Sequence, residues 1–290
     1  MSNTDMRQAW LPGLWHGVRN WLVPLFQTDA EFPLPQMLLG TLTALLIEKI
    51  SPSDGNILKM IVQKCSHAIR NCSDADLYQC NPIQLTLAIR LIEGQGVPLA
   101  ARAMEYLTDI EEAINSGALF HWQVPAFDLL IRRQLNVSAG APFDLGTIDH
   151  YASNFGQILG QIEGDSAFGM RAADIGPVPR ALLYAGASRA MSRNDIASSA
   201  RALRCLNYVT PANEGSAEVH HLFDAICARQ ESVGHFGADP KAPGDELRRA
   251  FECLWAIAEV STPYRLFMDV VPPSGSAGKP SQRNAPSLLR

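Results

Sequence analysis

Apolar residues along this chain recur mostly at spacings of three and four, the repeat of helices with one buried stripe. The clearest case is Ala217 to Gln230, where Val219, Leu222, Phe223 and Ile226 fall at i, i+3, i+4 and i+7. Asp245 opens a second apolar helix through Leu247, Phe251, Leu254, Trp255 and Ala258, and the polar stretch Gln230 to Gly237 provides the turn between them. Two helices joined in this way cannot cover their own apolar faces, so they require neighbours. The hairpin from Ser216 to Ser261 is therefore the expected organising element of the fold.

The rest of the chain repeats the theme. Gln36 to Ile50 is hydrophobic almost all round, which predicts a helix buried on most sides. The turn and cap residues of Ser51 to Asn56 end it. Ile57 to Asn71 then reads as a helix, Cys72 to Pro82 as a loop, and the stretches near Ile83 to Glu93 and Pro98 to Ser116 as helices. Asp144 to Glu163 predicts another, and Thr262 to Val271 a last short element. No region alternates apolar and polar residues for long enough to predict a sheet.

Trp10 to Phe26 carries a recurring apolar set, Trp10, Leu14, Trp15, Val18, Trp21, Leu22 and Leu25, interrupted by Pro12, Gly13, Gly17 and Pro24. It lacks the basic start of a signal peptide and is too short and broken to span a bilayer. Packing on the core is expected ahead of lying on a membrane surface. Residues 1–9 and the Pro/Ser/Gly-rich residues 272–290 are expected to be disordered and to flank one helical domain, residues 10–271.

The turn has the form Gln230-x-x-x-Gly234-x-Phe236-Gly237. A glutamine in the last turn of a helix can bond exposed carbonyls there and backbone groups at the start of the next helix. The two glycines can adopt positive φ, and the aromatic can fold back onto the hairpin. A related string, one residue longer, runs from Gln161 to Gly169 and ends again in Phe168-Gly169. The motif resembles the Gln-Trp repeat of terpene cyclase-like toroids such as the squalene-hopene cyclases. Ile226 matches the aliphatic position of that repeat, whereas Ala225 replaces an aromatic and Phe236 a tryptophan. The resemblance implies an all-α (α/α) toroid of antiparallel hairpins around a central cavity. It also implies an enzyme of bacterial specialised metabolism acting on a small or amphipathic substrate. A noncatalytic protein binding a carrier, peptide or protein partner is the alternative, because one scaffold hosts unrelated functions.

The cyclase chemistries have their own signatures. No Asp-x-Asp-Asp string supplies a protonating acid, and Asn194-Asp195-Ile196-Ala197-Ser198 begins a magnesium motif that Ala202 breaks, so Asn194 or Asp195 reads as a helix cap. Asp74 and Asp76 form only a loop pair. The Cys-His-Gly signature of the toroidal lanthionine cyclases is missing, as are nucleophile-elbow and phosphate-loop motifs.

With 290 residues and 47% hydrophobic content, the chain can bury about three quarters of its unfolded surface in one domain. A net charge of −5 with scattered Lys and Arg gives no nucleic-acid footprint. The cysteines Cys65, Cys72, Cys80, Cys205, Cys227 and Cys253 read mostly as core thiols of a reducing, cytoplasmic compartment. Cys65 and His67 alone cannot make a zinc site, and neither a metal nor a cofactor is expected.

The polar candidates lie mid-chain. His121 precedes Pro125, which suits the first turn of a helix, and His150 sits beside Phe143, Ile148 and Phe155. Arg180 and Tyr184 are four apart and share a helical face. Their segment, Pro179 to Tyr184, is similar to a turn and helix of uncharacterised bacterial toroid-like proteins, with Arg180 where those carry histidine. Arg180 would take an anionic partner, Asp128, Asp174 or a ligand group, and Tyr184 would bond beside it. His121 or His150 would transfer protons if the protein is catalytic. The ligand expected is a small molecule or a carrier-bound one, and the sequence leaves the oligomeric state open.

Overall fold

The uniformly apolar run after Phe32 becomes the central helix of a computed structural model that describes residues 3–27, 32–50, 55–94, 96–97, 101–119, 123–132, 155–169, 173, 177–209, 217–237 and 245–261. This helix is α2 (Leu34–Ile50), following α1 (Asn3–Gln27). Next come α3 (Gly55–Asn71), α4 (Asp74–Gln79), α5 (Pro82–Gly94) and α6 (Ala101–Ser116). A short α7 (Val124–Phe127), with Pro125 in its first turn, runs on into a π-helical turn, Asp128–Arg132. The chain then forms α8 (Phe155–Asp165), α9 (Pro177–Ser192), α10 (Ile196–Val209), α11 (Ala217–Cys227) and α12 (Glu246–Ser261). The protein is all-α: the described residues contain no strand, only an isolated antiparallel bridge between Gln230 and Phe236.

Two helices form the centre. Every residue of α2 from Met37 to Ala44 is buried, as is every residue of α12 from Arg249 to Ser261. They pack on one another, and α12 also packs on α1 and α10. Close approach depends on Gly40, where a Cβ would fall 2.6 Å from the Phe251 ring. The two buried threonines of α2 are both satisfied: Thr41 Oγ1 donates within the helix to Met37 O at 2.9 Å and Thr43 Oγ1 donates across to Phe251 O of α12 at 3.2 Å. Phe251, Leu254 and Trp255 are all buried, as expected, so the second helix of the hairpin lies in the core.

Helix α1 packs on that core through Leu11, Leu14, Trp15, Val18 and Leu22 and leaves Trp10 exposed. The expected interruptions at Pro12 and Pro24 do not occur, since the helix runs through both. Both prolines face solvent, where water can bond the carbonyls that lose an amide partner. No described helix is long and apolar enough to cross a membrane.

The predicted loop from Cys72 to Pro82 instead contains α4. Ser73 and Asp76 form a capping box there: Ser73 N donates to Asp76 Oδ2 at 2.8 Å and Asp76 N to Ser73 Oγ at 3.2 Å. Asp76 is thus a cap residue of a helix. Asp195 likewise caps α10, accepting from Ser198 N at 3.1 Å.

The Gln230 turn is a clamp. Its amide donates to Gly234 O at 3.1 Å and, across the fold, to Leu14 O at 2.9 Å. The glutamine therefore ties the turn back to α1, where a bond to the start of the next helix was expected. Gly234 and Gly237 have φ of 109° and 61°, and Phe236 is fully buried. Five of the six cysteines are buried, Cys72 is partly so, and all are free thiols. Residues 262–290, including the expected last element and tail, lie outside the described residues.

Candidate functional site

Among the described residues, a dense cluster of charged side chains lies inside the core, where α8, α10 and α12 meet. Arg201 donates to Glu163 through Nε, 3.0 Å from each carboxylate oxygen, and through Nη2 at 2.6 Å. Arg204 bridges two acids, donating from Nη2 to Glu163 Oε1 at 2.7 Å and from Nη1 to Glu252 Oε2 at 2.5 Å. Its guanidinium carbon also lies 4.0 Å over the Trp255 ring. Phe168 stacks on Trp255 with ring centroids 5.8 Å apart.

Two guanidiniums and two carboxylates balance. Burial opposes ionisation of Glu163, but Arg201 and Arg204 outweigh it and hold the carboxyl below its ordinary range. The same carboxylates raise both arginines against burial. A third acid, Glu259, has no cation left to itself, and burial pushes it up to about 8, with Arg204 and the Trp255 indole opposing that shift. It is therefore mostly protonated at neutral pH. Burial pushes the Tyr208 hydroxyl well up too. Among the described residues, Glu259 Oε2 and Tyr208 Oη have no hydrogen-bond partner.

The loop after α8 closes over these two groups. Ala167, Phe168 and Gly169 have φ of 46°, 54° and 80°, a left-handed run that costs energy at the two non-glycine positions. Gly169 is required by space as well, because a Cβ there would lie 2.7 Å from the Tyr208 ring and 3.5 Å from Glu259 Oε1. Like the Gln230 turn, this loop ends in a buried phenylalanine and a left-handed glycine. Its polar anchor is different: Glu163 and its arginines hold the helix end.

Chemically, the paired charges are already committed to one another, which makes the cluster a stabilising and positioning element. The signal for it was present as two stripes of the same spacing. Arg201, Arg204 and Tyr208 fall at i, i+3 and i+7, and so do Glu252, Trp255 and Glu259. Charges in the register of an apolar stripe announce buried pairs.

The residues singled out from sequence are distributed differently. Asp128 is buried and meets Arg132, one turn on, at 3.5 Å. Arg180 and Tyr184 lie half-buried on α9, and Tyr184 packs against the core. His121 and His150 lie outside the described residues.

Concave space lies at the start of α2. A half-open cleft of about 770 Å³ runs between the segment entering α2 and the outer face of α3. Phe32, Pro33, Leu34 and Met37 make its apolar wall, while Gln63, Lys64, His67 and Asn71 line the opposite wall, with Cys72 and Asp76 at the α4 end. The polar wall follows from helical spacing, since residues 63, 64, 67 and 71 project from one side of α3. Asn71 Nδ2 donates to His67 Nε2 at 2.8 Å. Burial pushes the Cys72 thiol up, opposed by Arg102, so this cysteine is a poor nucleophile. The volume is in the ordinary range for small-molecule sites, roughly 300 to 1,000 Å³.

The chain matches no protein-family model, no curated protein and no solved structure.

Proposed function

We propose that the protein is a noncatalytic binding protein whose α2–α3 cleft takes a small amphipathic ligand. The observation that carries this reading is the division of the cleft into an apolar wall, Phe32, Leu34 and Met37, and a polar wall, Gln63, Lys64, His67 and Asn71. An amphipath matches both walls at once, with its tail removed from water and its head hydrogen-bonded at the mouth. The cleft is open, its thiol is held protonated, and the charged cluster that could supply acid chemistry is closed within the core. These features favour binding over turnover.

The architecture we propose remains a terpene cyclase-like (α/α) toroid. Its support is the recurrence of a helix end followed by a buried phenylalanine and a left-handed glycine, at Phe168-Gly169 and Phe236-Gly237, and the packing of α1 on α12. The binding proposal uses the lateral cleft and does not depend on a central hole.

Calorimetric titration of the full chain with a neutral medium-chain monoacylglycerol, below its micelle threshold, tests the function. Saturable binding is expected, and Gln63→Trp should abolish it because the indole fills the mouth from an exposed position. Equal binding by the variant would place the ligand elsewhere and refute the cleft.

A further inference from the structure

Of the acids in the core cluster, Glu163 is held by Arg201 and Arg204 and Glu252 by Arg204. Glu259 sits at the edge of the same cluster, 4% exposed, and its Oε2 has no hydrogen-bond partner among the described residues. The loop after α8 covers it. A Cβ at Gly169 would lie 3.5 Å from Glu259 Oε1 and 2.7 Å from the Tyr208 ring, and Phe168 is buried next to it, stacked on Trp255. An acid enclosed in this way is held in its neutral form, because ionising it would bury a charge without compensation.

The surroundings do not supply that compensation. Around Glu259 stand Arg204, Tyr208 and Cys205 of α10, with Glu163 of α8 behind them and Glu252 and Trp255 on its own helix. Among the described residues, α11 meets α12 with Cys227, beside Cys253, and α1 and α2 meet it with apolar side chains and Thr43.

The covering loop is constrained. Ala167 and Phe168 hold φ of 46° and 54°, a region non-glycine residues occupy only when their surroundings enforce it. Phe168 N donates to Glu163 O at 2.9 Å and Gly169 N to Ser166 Oγ at 3.1 Å, so these bonds fold the loop onto its own helix end. Phe168 and Gly169 meet α10 and α12 by packing. Once lifted from that packing, Ala167 and Phe168 can leave the left-handed region, and the two amide bonds go with them.

We infer that Ser166 to Gly169 form a proton-gated latch, which closes on neutral Glu259 and opens locally as that carboxyl loses its proton, uncovering Tyr208 and the face of Trp255. The latch stands apart from the cleft and does not depend on what binds there. Enclosure pushes the Glu259 carboxyl from its ordinary 4.5 up to about 8, so opening releases one proton between those values. The opening constant should therefore rise by up to about tenfold per pH unit within that window and level off above it.

Amide hydrogen exchange of the full chain, expressed as protection factors across the same pH window, tests the latch. The Phe168 and Gly169 amides should lose up to about tenfold in protection per pH unit and remain less protected than the amide of Leu42, buried in α2, throughout. In Glu259→Gln, which has no proton to release, the protection of the loop amides should be level with pH. Loop protection that is level in the wild-type chain, a slope that survives Glu259→Gln, or loop amides that exchange only together with Leu42 would each overturn the latch. The first and last of these outcomes are read on the unmodified chain, so the test stands even where the variant does not fold.

Discussion

The guanidinium of Arg204 lies with its central carbon 4.0 Å over the ring of Trp255, and the same guanidinium bonds Glu163 and Glu252 at its two ends. One side chain thus joins α8, α10 and α12. Removing it leaves two buried carboxylates facing one another with only Arg201 to compensate. Breaking a buried pair typically costs about 3 to 5 kcal/mol, so Arg204→Met should lower the urea midpoint severely. The double replacement of Arg204 and Glu252 by apolar residues should recover part of the loss. A stable Arg204→Met protein would show that the cluster does not hold the three helices.

Trp255 is the apolar counterpart, fully buried between Arg204 and Phe168. Trp255→Ala should cost about 3 to 5 kcal/mol by cavity formation and lost contacts. An unchanged thermal midpoint would remove the hairpin from its central place.

The buried acids give stability a pH dependence with two distinct limbs. Glu259 has its carboxyl raised by burial from an ordinary 4.5 to about 8, so folding takes up a proton within that window. Stability from this group is complete below about pH 4.5, declines as pH rises towards 8 and is level above it. Glu163 is shifted the other way by its arginines, despite burial. Its contribution is complete above the ordinary carboxylate range and is lost as pH falls through its folded value. Glu259→Gln should therefore flatten the decline between about pH 4.5 and 8 and leave the Glu163 limb at lower pH in place, as measured by urea unfolding across pH. An unaltered slope across that window would assign the decline to another group.

The turn that clamps α1 gives a contrast between two glycines. At Gly17 a Cβ would meet the Gln230 amide at 2.8 Å, and a flexible side chain can move. At Gly234 a Cβ would lie 2.0 Å from the Gly17 carbonyl oxygen, with φ at 109°. Gly234→Ala should consequently destabilise far more than Gly17→Ala, and Gln230→Ala should cost about 1 kcal/mol for its net hydrogen bonding. Thermal denaturation of the three variants ranks them directly.

Helices and core were legible because apolar periodicity reports burial, and it led to α2, α11, α12 and the Gln230 turn. Local chemistry marked the Asp195 cap and Pro125 as well. Helix α1 was read as broken because proline propensity was weighed without knowing that Pro12 and Pro24 face water. Helix α4 was missed because six residues are too few for a period, although Ser73-x-x-Asp76 spelled its cap. The charged cluster went unread for another reason: Glu163, Arg201, Arg204, Glu252 and Glu259 look like surface residues one at a time. Only the meeting of three helices makes them partners. The cleft was equally hidden, since its walls come from two consecutive helices whose spacing in the fold no residue pattern states.

The central claim is that an amphipathic ligand lies between α2 and α3, and Met37 reports on it most directly. Met37 lines the cleft, whereas Met104 is exposed on α6. In a spectrum of methyl-labelled methionines, titration with a medium-chain amphiphile below its micelle threshold should shift the Met37 signal saturably and leave Met104 in place, and in Gln63→Trp it should shift neither signal. A Met37 signal that stays fixed while the amphiphile binds would contradict the account.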